Sequence, residues 1–327
     1  GGTIDSVYGG QLFDLALEGM ADRSDLGILP AELFYPEPEE PQRATGEELE
    51  RWALLMRGAF TRRVPSEGQI ARSVFDPALI SVVASNNSLG EPLSFPIDQP
   101  PLISCLMVTG DRKVQLEGHW TDGSRAFVPY DRKVYLRSAI ECFRRQSYPN
   151  LELVIVDHGS SDCVQELLRE QPDHRIRHIR LPNEKQSIGY LRQRSVEEAR
   201  GEYVATWDDD DLYHPDRISQ TYEALRRSGA HACMLGRLLQ WWPGRRRLWT
   251  SGRRPWEGSL LCERRFLPGY PDISQDEDGT VVGKLLREAR VVVYDAPELY
   301  TYVTHRSNTK HEVRGHFDVH WDRATFR

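Results

Sequence analysis

The sequence predicts an α/β protein whose mostly parallel sheet is flanked by helices. From residue 102 onward, short apolar runs alternate with amphipathic stretches, which is the order typical of β-α-β units. Three of the apolar runs end in a polar residue, at Thr109, Asp157 and Asp208. Ligands of such sheets bind at the carboxyl ends of the strands, so the pattern also predicts a polar site at that edge.

The elements of this predicted sheet follow one another in chain order. Strands are expected at 102–109, 151–157, 176–181, 203–208 and 299–304. Helices are expected at 131–146, from Ser161 onward, at 188–199 and after Asp278. The run LELVIVD at 151–157 is an apolar strand of the kind that parallel sheets contain.

The first 100 residues differ from the rest of the chain in charge and composition. They hold 16 acidic and 7 basic residues, a net charge of -9, whereas the remaining residues hold 33 and 35, a net charge of +2. Helical stretches are expected at 11–20 and 46–60, with a segment rich in Pro and Glu between them. Four prolines in 85–101 indicate a linker.

We therefore expect two parts, an acidic N-terminal extension with its Pro-rich linker at 1–100 and an α/β domain at 101–327. All strands are expected beyond Pro100, so a chain that starts there is expected to fold alone. The predicted role of the extension is formation of a homo-oligomer or docking of an acceptor.

The composition excludes several classes of protein. With 39% hydrophobic and 28% charged residues, the chain is typical of a soluble globular protein, and no run approaches the ~20 apolar residues of a membrane helix. We expect a cytoplasmic protein without a transmembrane segment. The net charge of -7 argues against nucleic acid as a partner. The five cysteines are scattered and lack a C-x-x-C pair, so we expect reduced, buried thiols.

The strongest chemical signal is the run WDDDD at 207–211, which follows a predicted strand. Adjacent carboxylates repel one another at neutral pH, and a divalent cation with oxygen ligands relieves that repulsion. Such a cation can in turn bridge a diphosphate. The alternative is an acidic turn in which Asp216 caps the next helix.

A second signal is Asp157 together with the residues HGSSD that follow it. A carboxylate at a strand end can accept hydrogen bonds from a base N–H or from ribose hydroxyls. Gly159 lets the chain turn, and Ser161 or Asp162 is placed to cap the next helix. The alternative is a strand-to-helix turn that holds no ligand.

Taken together, these residues resemble family 2 glycosyltransferases, which are inverting enzymes with the nucleotide-diphospho-sugar (GT-A) fold. The likeness runs from Leu102 to about His311. It rests on YLRSAIECFRRQSYPNLELVIVDHGSSD, on IGYLRQRSVEEARGEYVATWDDDDLYHPDRI, and on Asp276-Glu277-Asp278 before a helical run. The resemblance implies a metal-dependent enzyme of the hexosyltransferase type. It would move one sugar from a nucleotide-diphosphate sugar, expected to be a UDP-sugar, to an acceptor.

The resemblance also implies how the donor is bound. Thr109 and Asp157 hold the nucleoside, and Arg192 lies close to the nucleotide. The D-x-D motif of the family aligns with Asp208 and Asp210.

Within this motif, Asp210 is the implied direct ligand of Mn²⁺ or Mg²⁺, and Asp208 and Asp209 belong to the same donor-binding cluster. Asp209 and Asp211 offer an alternative D-x-D register. Some relatives of this fold use a C-terminal histidine as a further metal ligand, which makes His305 a candidate for metal or diphosphate contact.

Asp278 aligns with the general base of the family. This carboxylate removes the proton from the acceptor while the acceptor attacks the anomeric carbon from the face opposite the departing diphosphate. The neighbouring carboxylates Asp276 and Glu277 are alternatives for this role.

Two features depart from the usual family pattern. The segment between Thr109 and Asp131 is longer than usual and is either a lid or a plain surface insertion. The Q-x-x-R-W motif of processive members is missing after Asp278, which favours addition of one sugar per encounter.

An arginine-rich region with four tryptophans, at 237–265, precedes the predicted base. Tryptophan faces suit sugar rings and guanidinium groups suit anions, so an anionic or glycosylated acceptor is one interpretation. The other interpretation places the tryptophans in the core and the arginines on the surface or against the acidic N-terminal extension.

Two rival functions share part of this chemistry. A nucleotidyltransferase would carry a Gly-rich basic loop near the first strand, which VTGDRK matches poorly. A non-catalytic nucleotide-sugar-binding module is the other rival, and the presence of Asp208, Asp210 and Asp278 argues against it.

Overall fold

The computed structural model describes residues 75–86, 89–111, 132–184, 186–242 and 247–303 of the chain. Within these ranges it contains twelve strands and five α-helices. The strands are β1 (Ile80–Ser85), β2 (Ile103–Thr109), β3 (Leu151–Asp157), β4 (Ile176–Arg180), β5 (Tyr203–Thr206), β6 (Leu212–Tyr213), β7 (Ala232–Leu235), β8 (Leu239–Trp242), β9 (Arg247–Thr250), β10 (Leu261–Glu263), β11 (Arg290–Tyr294) and β12 (Tyr300–Val303). The helices are α1 (Arg132–Arg144), α2 (Cys163–Glu170), α3 (Ile188–Glu198), α4 (Arg217–Ser228) and α5 (Glu277–Glu288).

Eight of these strands form one sheet in the order β1-β11-β7-β10-β5-β2-β3-β4. The pairs β5-β2, β2-β3, β3-β4 and β11-β7 are parallel. Strands β1 and β10 pair antiparallel with their neighbours. The predicted α/β class with a mostly parallel sheet is confirmed, and the antiparallel insertion of β10 is a feature that the sequence did not reveal.

The sheet is covered on both faces, as parallel strands require. All seven residues of β3 are buried. On one face, α1 contributes Leu136, Ile140 and Phe143 to a core that also contains aromatic residues of α4 and β12. On the other face, α5 packs Val281 and Leu285 against β11 and β7. All five cysteines are free and buried, which confirms that prediction.

A smaller sheet in the order β6-β12-β8-β9 lies beside the end of β5. Its strand β6 directly follows the acidic run, and β6 pairs with β12 through Tyr213 and Tyr300. The two rings stack in parallel with their centroids 5.0 Å apart. This sheet therefore fixes the position of the turn that carries the four aspartates.

The first strand corrects the prediction that every strand lies beyond Pro100. Strand β1 forms the outer edge of the large sheet and pairs with β11 from Ile80, opposite Tyr294, to Ser85. The following segment also lies on the sheet, because Leu93 accepts a hydrogen bond from Tyr203 Oη, and Phe95 packs edge-on against that ring. This short β-branched run was not predicted as a strand, because prolines are frequent around it and its pairing partner comes about 200 residues later.

The predicted helices at 11–20 and 46–60 lie outside the described residues, and the division of the chain at residue 100 stays a prediction. Within the part of the chain that the structure describes, no helix has both the length and the apolar character needed to span a membrane.

The position of β1 predicts a difference between two truncated chains. A chain that starts at residue 75 keeps β1, whereas a chain that starts at residue 100 leaves the edge of β11 unpaired. We expect the shorter chain to melt at a temperature lower by about 5 °C or more, since it loses a strand and its apolar contacts. Circular dichroism during heating measures this, and equal melting temperatures would contradict the assigned role of β1.

Candidate active site

The carboxyl ends of β2, β3 and β5 meet at one edge of the large sheet. Thr109 and Asp157 are register partners at the ends of β2 and β3. The acidic turn that follows β5 reaches the same place, where Thr109 Oγ1 donates a hydrogen bond to Asp209 Oδ2 over 2.6 Å. The structure thus brings together three of the residues that the sequence placed at the donor.

Asp157 is fully buried and is surrounded by nitrogen atoms. Oδ1 accepts from Arg132 Nη2 at 2.5 Å and from Gly159 N at 2.9 Å. Oδ2 lies 3.2 Å from His178 Nε2 and 3.3 Å from Arg180 Nη1. Burial alone would raise the pKa of Asp157, but these hydrogen bonds and charges hold that pKa below its usual value.

Arg132 was not singled out in the sequence, yet it lies at the centre of this edge. Its Nε donates to Thr109 Oγ1 at 3.2 Å, and its Nη1 donates to Ser161 Oγ at 3.1 Å. Arg132 is the first residue of α1, directly after the long segment, so its contacts depend on tertiary placement. Asp162 occupies the position before α2 but makes no side-chain capping bond there, contrary to one of the two capping predictions.

Two carboxylates of the acidic turn face the small sheet. Asp208 Oδ1 accepts from Arg192 Nη2 at 3.2 Å, and the backbone N–H of Asp208 donates to Tyr213 Oη at 2.7 Å. Asp211 is buried and accepts from Tyr300 Oη at 2.5 Å and from Val303 N at 2.7 Å. Burial and the charges of Asp210 and Asp208 raise the pKa of Asp211 well above its usual value. Asp211 therefore ties β12 to the turn.

The buried side chain of Arg217 lies beside this acidic turn. The guanidinium of Arg217 faces the rings of Trp207, Tyr213 and Tyr300, with its Cζ 4.5 to 5.3 Å from the three ring centroids. Arg217 is 1% exposed. A positive charge held against aromatic faces is favourable. Asp216 precedes this helix but makes no side-chain capping bond.

Arg192 connects the acidic turn to Glu277, the residue next to the predicted base Asp278. Its Nη2 contacts Asp208, and its Nε donates to Glu277 Oε1 at 3.0 Å. Burial by itself would lower the pKa of Arg192, but the charges of Asp208 and Glu277 raise that pKa well above its usual value. Burial and the charge of Asp278 raise the pKa of Glu277, which Arg192 partly counteracts.

The three candidate bases differ in their surroundings. Glu277 is 5% exposed and bound to Arg192, whereas Asp276 is exposed and has a left-handed backbone with φ of 63°. Asp278 lies in the first turn of α5, is partly exposed, and accepts a hydrogen bond from the backbone N–H of Gly279. Among the three, Asp278 combines access to solvent with a fixed position.

The loop before α5 packs against α3. Gly189 N donates to the carbonyl of Ile273 at 3.0 Å, and Tyr270 N donates to Gln193 Oε1 at 3.0 Å. A Cβ atom on Gly189 would lie 1.8 Å from the carbonyl oxygen of Pro271, so only glycine permits this contact. Helix α3 therefore positions both Arg192 and the loop that leads to Asp278.

Several predicted features lie elsewhere. His305 and the segment 112–131 lie outside the described residues. In the arginine-rich region, Arg237 and Arg253 contact Asp295, Arg254 contacts Glu257, and Arg265 contacts Glu263. In the described residues, these four arginines are held by acids of the protein itself.

The carboxylates of the acidic turn are the expected ligands of a divalent cation. In the described ranges, no group of three His, Cys, Asp or Glu side chains is arranged to hold a metal ion. Mg²⁺ and similar ions commonly use only one or two carboxylates and take further oxygen ligands from phosphates and water. Burial and the neighbouring carboxylates raise the pKa of Asp211, and a cation of this kind would reduce the repulsion among the carboxylates.

The Arg192 bridge predicts a clear effect on stability. Replacing Arg192 by Met leaves Asp208 and Glu277 without their shared cation in a buried place, so we expect a loss of about 3 kcal/mol of unfolding free energy. Arg194→Met on the same helix removes a cation that pairs with Glu197 and Glu198 near the surface, and we expect less than about 1 kcal/mol. Urea unfolding measures both, and similar losses in the two variants would refute the bridge as a structural link.

Comparisons with known proteins bear on the same region. The sequence model described as "Glycosyl transferase family 2" matches residues 128–276. EpsH of Bacillus subtilis (strain 168), named as a glycosyltransferase, is 36% identical over 102 residues, which cover 31% of this chain and 28% of EpsH.

A Campylobacter jejuni protein, named GalNAc(5)-diNAcBac-PP-undecaprenol beta-1,3-glucosyltransferase, is 28% identical over 104 residues, which cover 31% of this chain and 34% of that protein. The crystal structure of S. aureus TarS 1-349 has a TM-score of 0.48 and 15% identity, covering 62% of this chain and 60% of TarS. The chain thus spans only about a third of the two sequence relatives.

The family match starts before α1, includes the acidic turn, and ends at Asp276. It therefore covers Asp157, Arg192 and the four aspartates, and it confirms the resemblance and the GT-A type of α/β fold that the sequence predicted. Through residues 128–276, the chain is similar to glycosyl transferase family 2.

Proposed function

We propose that the protein is a metal-dependent, inverting glycosyltransferase that moves one sugar from a nucleotide-diphosphate sugar, a UDP-sugar, to an acceptor. The match of residues 128–276 to the model of glycosyl transferase family 2 supports the reaction class. One structural observation carries the proposal. Arg192 contacts both Asp208 of the acidic turn and Glu277 beside Asp278, so the predicted donor and base positions adjoin each other.

In this proposal the nucleoside lies at the ends of β2 and β3, near Thr109 and Asp157. The diphosphate lies over the acidic turn, where Asp208 and Asp210 would hold Mn²⁺ or Mg²⁺. The cation supplies positive charge that offsets the charge developing on the leaving diphosphate. Asp209, bound to Thr109, links the nucleoside position to the acidic turn.

Asp278 removes the proton of the acceptor hydroxyl as that oxygen attacks the anomeric carbon. A base must be ionised and accessible, and partly exposed Asp278 meets the second condition better than buried Glu277. Glu277 instead fixes Arg192. The chain therefore supplies one carboxylate, Asp278, for proton transfer and a second, Glu277, that orients the guanidinium of Arg192.

His305 remains a proposed further contact for the cation or the diphosphate. It lies two residues beyond Val303, whose backbone N–H is bound by Asp211 of the acidic turn. For the acceptor we propose an anionic or glycosylated molecule. The missing processive motif favours transfer of one sugar per encounter.

Replacing Asp210 by Ala tests the cation position. We expect the fold to persist and the Mn²⁺-dependent binding of UDP to be lost, because Asp208 alone of the proposed pair remains, while Asp209 and Asp211 are bound by Thr109 and Tyr300. Calorimetry with and without Mn²⁺ measures the effect, and Asp98→Ala at an exposed position serves as the matched control. Mn²⁺-dependent affinity within about twofold of the parent would show that Asp210 is not the ligand.

Replacing Asp278 by Asn tests the base. Asparagine keeps the size of the side chain but cannot take up a proton at neutral pH, so transfer should fall by roughly 10² to 10⁴ fold with donor affinity little changed. Sugar transfer or donor hydrolysis measures turnover, and calorimetry measures donor affinity.

Asp276→Asn and Glu277→Gln are the companion variants for this test. Near-parental turnover in Asp278→Asn would refute its role, and a selective loss in one companion would assign the base to that residue. Donor turnover by the parent also separates the enzyme from a non-catalytic binding module.

A further inference from the structure

A second group of charged residues lies at the same edge of the large sheet as the acidic turn, at the carboxyl ends of β7 and β11. Strand β10 runs antiparallel to both β5 and β7, so β5 and β7 run in the same direction and end at the same edge. Arg237 lies two residues after β7, and Asp295 directly follows the parallel strand β11. The chain therefore places these two charged residues at the edge that carries the proposed donor position.

Asp295 anchors two arginines. Arg237 Nε donates to Asp295 Oδ1 at 2.8 Å and Arg237 Nη2 donates to Oδ2 at 3.0 Å, while Arg253 Nη2 lies 3.1 Å from Oδ2. The side chain of Asp295 is 6% exposed, whereas the side chain of Arg253 is 45% exposed. The carboxylate is thus enclosed by the protein, and part of the Arg253 side chain faces solvent.

Arg254 is held close to this group by its backbone, a tryptophan and an acid. Its backbone N–H donates at 2.8 Å to the carbonyl of Gly236, the residue before Arg237. Its Cζ lies 3.9 Å from the ring centroid of Trp256, and its Nη1 donates to Glu257 Oε1 at 2.7 Å. An arginine that is already fixed in this way loses less side-chain freedom when it binds an anion.

Arg237, Arg253 and Arg254 form a surface that we call the arginine patch. Each of these arginines is more exposed than the acid that it contacts, and for Arg254 and Glu257 the exposed fractions are 35% and 15%. The part of the patch that faces solvent therefore presents guanidinium groups, and its carboxylates lie deeper. Such a surface attracts anions.

Residues 257–259 separate the arginine patch from the acidic turn. They form a single turn of 3-10 helix. A Cβ atom at Gly258 would lie 3.5 Å from Asp208 Oδ2, and the preceding residue, Glu257, binds Arg254. This short turn therefore contacts the proposed donor position on one side and the arginine patch on the other.

The proposed base lies at the same edge as well. Helix α5 is separated from β11 by one residue, so the end of the helix lies at the start of that strand. Val281 and Leu285 of α5 pack against β11 and β7. The first turn of α5, which carries Asp278, therefore lies towards the carboxyl ends of these strands, and the helix also contacts the turn at 257–259.

We infer that the arginine patch binds an oxyanion of the acceptor, a phosphate or a carboxylate group, beside the hydroxyl that Asp278 deprotonates. A guanidinium group can bind either anion through two parallel hydrogen bonds. This inference rests on the proposed function, and it selects the anionic class among the two acceptor classes named there. The donor and the acceptor, both negatively charged, then bind to separate groups at one edge of the sheet.

The test measures the dissociation constants of tripolyphosphate and of citrate by calorimetry, with a chelator present so that no divalent cation is bound at the acidic turn. The full chain is compared with the double variant Arg253→Gln/Arg254→Gln, which removes two guanidinium groups of the patch. The matched control is Arg226→Gln/Arg227→Gln at the end of α4, where two adjacent arginines of similar exposure bind Glu223. That end of α4 precedes β7 and so lies at the opposite edge of the sheet. Circular dichroism checks that each variant is folded.

We expect the parent to bind at least one of the two anions. Its dissociation constant should rise about tenfold or more in the patch variant, the size of a lost charged hydrogen bond, and should stay within about twofold in the control variant. The anion that binds more tightly assigns the oxyanion to phosphate or to carboxylate. No binding of either anion by the parent, or equal losses in the two double variants, would overturn the inference.

Binding of UDP with Mn²⁺, measured on the same parent protein without the chelator, separates this inference from the proposed function. UDP binding without patch-dependent binding of an anion would refute the inference alone. Patch-dependent binding of an anion without any UDP binding would refute the proposed function, and with it the role of the patch in holding an acceptor.

Discussion

The structure depends on the compensation of buried negative charge at one edge of its sheet. Asp157, Asp209, Asp210, Asp211 and Glu277 are all nearly inaccessible to solvent. Burying a carboxylate is costly unless it is hydrogen-bonded or paired with a cation. Arg132 of α1 and Arg192 of α3 meet this requirement for Asp157 and Glu277. Thr109 and Tyr300 bind Asp209 and Asp211, and a third arginine, Arg217 of α4, packs against aromatic rings beside the turn.

Each of these arginines joins two structural units. Arg132 of α1 connects the ends of β2 and β3, and Arg192 of α3 connects the acidic turn to the start of α5. Arg217 of α4 fills the space between Trp207 and the rings of the small sheet. Asp210 adds further negative charge to the buried turn, which favours binding of a divalent cation.

Much of this arrangement could be predicted from the sequence because it follows from local patterns. The apolar runs identified β2, β3, β4 and β5, and the carboxyl-end rule placed Thr109, Asp157 and Asp208 at one edge. Their convergence is a property of parallel strands, which needs no knowledge of side-chain packing.

The remaining features depend on partners that are distant in the chain. Strand β1 is a short run whose partner β11 comes about 200 residues later, and β10 has only three residues. Arg132 and Arg217 look like ordinary surface arginines in the sequence, and only tertiary packing buries them. Their one sequence signal is position, since each is the first residue of a helix.

This edge is proposed to bind a nucleotide-diphosphate sugar together with a divalent cation. The most direct measurement is the melting temperature of the full chain with a series of nucleotide sugars, each with Mn²⁺ and with a chelator. A ligand that binds only the folded state at about 100 times its dissociation constant adds about 2.7 kcal/mol to the apparent stability, which corresponds to a rise of several degrees. We expect this rise for a UDP-sugar with Mn²⁺ and a much smaller rise with the chelator. The absence of any rise across the series, or a rise that is independent of the cation, would contradict it.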